Sequence, residues 1–164
     1  MLPYQVLPMT PEAFEQVLGP LCAIYAEDIY TTMRHLTPAY SGGMYELRHY
    51  ANGAVMMVLI DERPADAKWG AEGETLKLSS ISIAANLIVS EGLCNKLYGQ
   101  GYEDGALLMQ SLHYTQKDAL RNYVAHVFSI SSPDYQRKPT PEELEMANNT
   151  VTLEESAKIF KLLN

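Results

Sequence analysis

The side chains that could carry chemistry are few and scattered. Of the four histidines, His35, His49, His113 and His126, no two stand three or four apart, the spacing a helix-borne metal pair needs. His49 reads as a strand residue beside a turn, and His113 and His126 as surface or partly buried helix residues. Cys22 and Cys94 make no C-x-x-C pair, so neither a disulfide framework nor a zinc ribbon is legible. No G-x-S-x-G elbow occurs. Gly99, Gly101 and Gly105 match a phosphate loop in composition only, because they follow a predicted helix and no Gly-Lys-Ser/Thr closes them. Asp61 with Asp66-Ala67-Lys68 supplies the residue types of a metal-dependent nuclease, but all three fall in one predicted loop, where nothing would fix them. The acid pairs Glu27-Asp28, Glu103-Asp104 and Glu142-Glu143 point about 100° apart on a helix. The last two stand at predicted helix starts, where they complement the dipole. No catalytic residue, metal or cofactor is therefore expected, and an interaction protein is favoured over an enzyme.

Recognition has better candidates. Eleven tyrosines against three phenylalanines favour rings with one wet end, and Tyr40, Tyr45 and Tyr50 flank a predicted hairpin. Twelve basic against twenty acidic residues leave a net charge of −8, so direct nucleic-acid binding is not expected. Mimicry of duplex DNA would need a dense acidic track, about one charge per 1.7 Å, and no long acidic run exists. No basic region precedes an apolar run at the start, and no stretch approaches the roughly 18 apolar residues of a membrane helix. The chain is read as cytoplasmic, with no membrane partner.

At 164 residues the chain suits one domain able to bury a sufficient core without staples. Thr10-Pro11-Glu12 caps a short helix that Gly19-Pro20 interrupts. A longer helix then follows, its apolar rhythm fading by Leu36-Thr37-Pro38. Period-two alternation over Met44 to Tyr50 predicts a half-exposed strand, Asn52-Gly53 a two-residue turn, and Ala54 to Ile60 a central strand apolar on both faces. That turn would set Tyr50 opposite Val55, Arg48 opposite Met57, Glu46 opposite Leu59 and Tyr45 opposite Ile60. Asp61 to Gly73 reads as a surface loop and Glu74 to Leu78 as a short strand. A helix capped by Ser79-Ser80 would end at Gly99-Gln100-Gly101, and another would run from Glu103 to Val127. After a connector at Ser131 to Pro139, capping patterns at Thr140 and Thr152 predict two short terminal helices. The expected fold is α+β: a single domain, with a small antiparallel sheet holding a central hairpin packed against several helices. Its parts are N-terminal helices over 1–38, the hairpin, strand and two helices over 40–128, and a C-terminal helical extension over 129–164.

Tyr40-Ser41-Gly42-Gly43-Met44-Tyr45-Glu46-Leu47, followed by Tyr50-Ala51-Asn52-Gly53-Ala54, resembles the signature of the ArdB/KlcA-type antirestriction proteins, with Tyr45 where tryptophan is common. Leu78-Ser79 leading into Ile83-Ala84-Ala85-Asn86-Leu87 is similar to that family's alanine-rich helix, and Leu120-Arg121-Asn122-Tyr123 to its L-R-D-Y segment. The resemblance covers Tyr40 to Tyr123 in the expected order. It implies an α+β protein encoded by plasmids, phages or similar elements that lessens type I restriction of incoming unmodified DNA, with no established catalytic residues. The expected partner is a type I restriction-modification complex or an associated host factor; the alternatives are an acidic DNA mimic or a metal-dependent nucleic-acid enzyme. The oligomeric state is left open. In the favoured reading Ser41, Gly42, Gly43, Tyr45, Asn52 and Gly53 shape the hairpin, while Tyr40, Glu46, Arg48 and Tyr50 offer exposed contacts.

Overall fold

A computed structural model describes residues 2–121 and 156–164. The first element is a strand with no pattern of its own to announce it, β1 (Tyr4–Leu7), followed by α1 (Pro11–Leu18), a 3-10 turn (Gly19–Leu21) and α2 (Cys22–Leu36). The Thr10 hydroxyl accepts from the Ala13 amide, as the cap pattern predicts. Two hairpins follow, β2 (Tyr45–Tyr50) with β3 (Val55–Leu59), and β4 (Pro64–Trp69) with β5 (Glu72–Lys77). Helices α3 (Leu78–Gly99), α4 (Glu103–Leu120) and α5 (Ser156–Leu163) complete the described residues. The α+β expectation holds, and a terminal helix is present over Ser156–Leu163, while the expected cap at Thr152 lies outside the described residues. Helix α4 stops short of the expected Val127: it ends at Leu120, where Arg121 turns extended at φ −101° and ψ 172°. The connector at Ser131 to Pro139 and the helix from Thr140 lie outside the described residues. No described helix is long and apolar enough to cross a membrane.

The hairpin forms at the expected place in a different register. A type I′ turn on Asn52-Gly53 needs positive φ at both residues, yet of the two only Gly53 has it, at 85°. The loop is therefore three residues long: Tyr50 N–H bonds to Ala54 O at 2.8 Å, and Gly53 N–H to Tyr50 O at 2.9 Å. Every expected pair shifts by one, so that His49 faces Val55, Arg48 faces Met56, Leu47 faces Met57, Glu46 faces Val58 and Tyr45 faces Leu59. Leu47 and Tyr45 thus share their face with Met57 and Leu59, and Ile60 is left 53% exposed.

The segment read as a loop over Asp61 to Gly73 is mostly strand. Ala65 and Ala67 turn inward and are buried, a weak strand signal because alanine has little β preference. Pro64 stands first, where its missing N–H costs little, and Gly70 at φ 58° makes the turn.

Strand β3 is apolar on both faces without being central, since the sheet order is β1-β2-β3. Its outer edge is closed by side chains instead of a strand. Asn86 of α3 accepts from Met57 N–H at 2.9 Å and donates to Met57 O at 2.7 Å, the Ser82 hydroxyl accepts from Leu59 N–H, and Gln116 of α4 donates to Val55 O. Each of these backbone groups is buried and would otherwise be unsatisfied. Helix α3 is buried almost all round, so Ser82, Asn86 and Ser90 form a polar stripe at four-residue spacing inside the core. Its first turn is capped by backbone rather than by Ser79 and Ser80: Leu78 N–H bonds to Arg63 O and Ser79 N–H to Asp61 O.

Candidate functional site

Helix α2 lies against the Tyr45 and Leu47 side of the three-stranded sheet, where Tyr30 meets Tyr45 edge-on with ring centroids 5.4 Å apart. The opposite face carries Tyr4, Val6, Glu46, Arg48 and Tyr50, which share it because Tyr4 pairs with Tyr50 and Val6 with Arg48. Met44 and Ile60, joined by a backbone hydrogen bond, continue the alternation at its end. At the centre Arg48 Nε donates to Glu46 Oε2 at 3.0 Å, while its guanidinium stacks 4.4 Å from the Tyr4 ring centroid. The Tyr4 and Tyr50 rings lie 5.3 Å apart. Burial pushes the Tyr50 phenol up to about 12, although Arg48, hydrogen-bonded to it, pulls the other way.

The four expected contact residues are therefore not equally available. Tyr50 is only 2% exposed, covered on its free side by the unforeseen strand β1, and cannot be an exposed contact. Arg48 is largely buried at its side chain, Glu46 is partly open, and Tyr40 is half-buried, its hydroxyl accepting from Tyr45 at 3.0 Å. What the face adds is apolar: Met44 is 77% exposed, Val6 55% and Tyr4 39%. An ion pair bordered by apolar groups suits protein recognition, and exposed Val6 and Tyr4 were not foreseen because β1 was not.

The six residues expected to shape the hairpin differ in their surroundings. Gly42 and Gly43 have φ of 93° and 153°, and a Cβ on Gly43 would stand 2.7 Å from Leu59 Cδ1. Ser41 is exposed beside them. Asn52 ties the loop to α4, donating to Thr115 O at 2.8 Å while its Oδ1 accepts from Ala54 N–H. Tyr45 is buried, and burial raises its phenol well above the ordinary range.

Behind the sheet runs a buried hydrogen-bond relay that pattern reading missed. Ser90 donates to Gln116 Oε1 at 2.8 Å, Gln116 Nε2 to the Tyr25 hydroxyl at 2.8 Å, and Tyr25 to Asn86 Oδ1 at 2.7 Å. His113 Nδ1 lies 3.1 Å from both Leu87 O and Ser90 Oγ, so a proton on Nδ1 satisfies both contacts. Burial and nearby Lys117 lower the His113 pKa, with Glu91 opposing. The available signal was the four-residue spacing of Ser82, Asn86 and Ser90 in an otherwise apolar helix.

The nuclease residue types do not converge. Asp66 and Lys68 stand on β4, not in a loop; Asp66 accepts from the Thr75 hydroxyl at 2.6 Å, and Asp61 is held by Arg63, which lowers its carboxyl pKa. Among the described residues no three His, Cys, Asp or Glu side chains gather as a metal site.

No family model and no curated protein matches the chain. Among solved structures, it is similar to one described as showing that the KlcA and ArdB proteins have a novel fold and antirestriction activity against type I DNA restriction systems in vivo but not in vitro. The TM-score is 0.58 at 13% identity, and the likeness covers 91% of this chain and 96% of that one. The fold that the Tyr40 to Tyr123 motifs imply is the fold of this chain.

Proposed function

We propose that the protein lessens type I restriction of unmodified DNA as a non-enzymatic antirestriction protein, binding a component of the restriction complex or an associated host factor in the cytoplasm. The observation that carries this reading is the shared fold over 91% of the chain with a structure described as antirestriction, together with the ordered motifs from Tyr40 to Tyr123. That neighbour's activity is described as present in vivo but not in vitro. Such a pattern suits action through a cellular component better than simple occlusion of a purified enzyme.

The binding surface in this reading is the sheet face bearing Tyr4, Val6, Met44, Glu46 and Arg48, with Tyr50 hydrogen-bonded to Arg48, whereas Tyr40 sits with Tyr45 and Tyr30 on the α2 side. DNA mimicry has less support. Glu46, Asp61, Glu62 and Glu74 are each paired with a cation, by Arg48, Arg63, Lys77 and Lys161, which breaks any continuous negative ridge they could form.

The test is the plating efficiency of unmodified phage on type I restricting hosts with and without the protein, while host DNA methylation is followed. Restored plating with methylation intact is the expected result. Unchanged plating would reject the function, and lost methylation would favour a general block of DNA access by a mimic.

A further inference from the structure

Away from the sheet face, α3, α4, α5 and the end of β4 enclose a cleft of about 530 Å³, within the roughly 300–1,000 Å³ range of small-molecule sites. One wall comes from α4 and the residue just past its end: His113 and Lys117 stand four residues apart on the helix, about 6 Å along its axis, and Arg121 follows as the extended residue after Leu120. The facing wall on α3 offers Glu91 and Asn95, and two aromatic rings border the opening, Trp69 from β4 and Phe160 from α5.

Three observations define the chemistry. Arg121 stacks with its Cζ 4.8 Å from the Phe160 centroid, an arrangement that leaves the in-plane N–H edge of a guanidinium able to grip an anion in bidentate fashion. Neither Lys117 nor Arg121 is in an ion pair among the described residues, whereas Arg48, Arg63, Lys77 and Lys161 each hold a carboxylate. Because His113 Nδ1 is engaged by Leu87 and Ser90, Nε2 is the ring nitrogen left to a ligand. The site thus combines two cations, an imidazole, a carboxamide and flat apolar rings. Two cations opposed by Glu91, in a chain of net charge −8, suit one phosphate group and disfavour a long polyanion. Trp69, 39% exposed, supplies a face on which a planar base can stack.

We propose that this cleft binds a nucleoside monophosphate, its phosphate held by Lys117 and Arg121 and its base against Trp69. The inference is independent of the antirestriction reading, since it concerns another surface and is read by binding.

Trp69 is the single tryptophan of the chain, so its fluorescence reports occupancy directly. Titration of the full chain with AMP, GMP, CMP and UMP should give saturable quenching for at least one, with a Kd of about 0.1–1 mM for a two-charge, one-stack contact. Arg121→Gln should weaken binding about tenfold, and Lys117→Gln similarly, with the thermal midpoint retained in at least one variant. Glu91→Gln should tighten it. The matching nucleoside without phosphate should bind far more weakly, and inorganic phosphate should compete without quenching to the same extent. Absence of saturable quenching with all four nucleotides would overturn the proposal. So would equal affinity for nucleoside and nucleotide, or wild-type binding in a folded Arg121→Gln or Lys117→Gln variant.

Discussion

Replacing Asn86 by alanine tests whether side chains truly stand in for a missing strand at the β3 edge. Asn86 makes four buried hydrogen bonds, with Tyr25 Oη, Met57 N, Met57 O and Ser82 O, all between 2.7 and 2.9 Å. In Asn86→Ala, Met57 loses both the amide and carbonyl partners supplied by this side chain, and the Tyr25 hydroxyl loses its acceptor. Ser82 O can keep a helical bond and is left out of the sum. Three buried polar groups at about 1–3 kcal/mol each, reduced by local relaxation, give a loss of about 3–5 kcal/mol, a large share of the roughly 5–15 kcal/mol stability of a domain. With a urea m-value of about 2 kcal/mol/M, the midpoint should fall by about 1.5–2.5 M. Tyr25→Phe should cost only about 1 kcal/mol, because Gln116 Nε2 keeps its bond to Val55 O. Coupling between the two changes in a double-mutant cycle would locate the loss in the relay. An Asn86→Ala loss below about 1 kcal/mol would refute the edge-closing role.

Gly43→Ala should cost about 1–3 kcal/mol, from a φ of 153° and a clash with buried Leu59, read as a lower thermal midpoint. Asn52→Ala should cost about 1–2 kcal/mol and raise amide exchange at Ala54, whose N–H loses its side-chain acceptor. His113 has a folded pKa below its ordinary 6.5, so the unfolded chain binds the extra proton first. Its contribution is intact above about pH 6.5 and is lost as pH falls from there toward the folded value. The urea midpoint of the wild type should therefore drop on acidification through that window, and His113→Gln should flatten the drop.

Legibility followed the strength of local signals. Thr10-Pro11 and the apolar rhythm of Cys22 to Leu36 place their helices because capping and periodicity are properties of the segment itself. Asn52-Gly53 located the turn, yet not its length, because the choice between two and three loop residues depends on the Asn52 bond to Thr115, 63 residues away. Ala65 and Ala67 hid a strand for want of β-branched residues, and four-residue β1 is held by pairing with β2 rather than by its own pattern. At the candidate surface, strand alternation puts Arg48 and Glu46 on the face opposite Leu47, whereas the burial of Tyr50 and of most of the Arg48 side chain is not legible without β1. Two of the side chains that close β3, Ser82 and Asn86, are visible in the sequence as polar residues at four-residue spacing, but only the fold shows that this part of the helix is buried all round.

The most direct measurement is phage protection by a variant that alters the sheet face and leaves the fold intact. Tyr50→Ala is unsuitable because that ring is buried, so Arg48→Ala is combined with Val6→Ser, and circular dichroism and the thermal midpoint are checked first. Recognition through this face predicts that the folded variant loses most of the wild-type protection against a type I system. Full protection by a folded variant would show that the face takes no part.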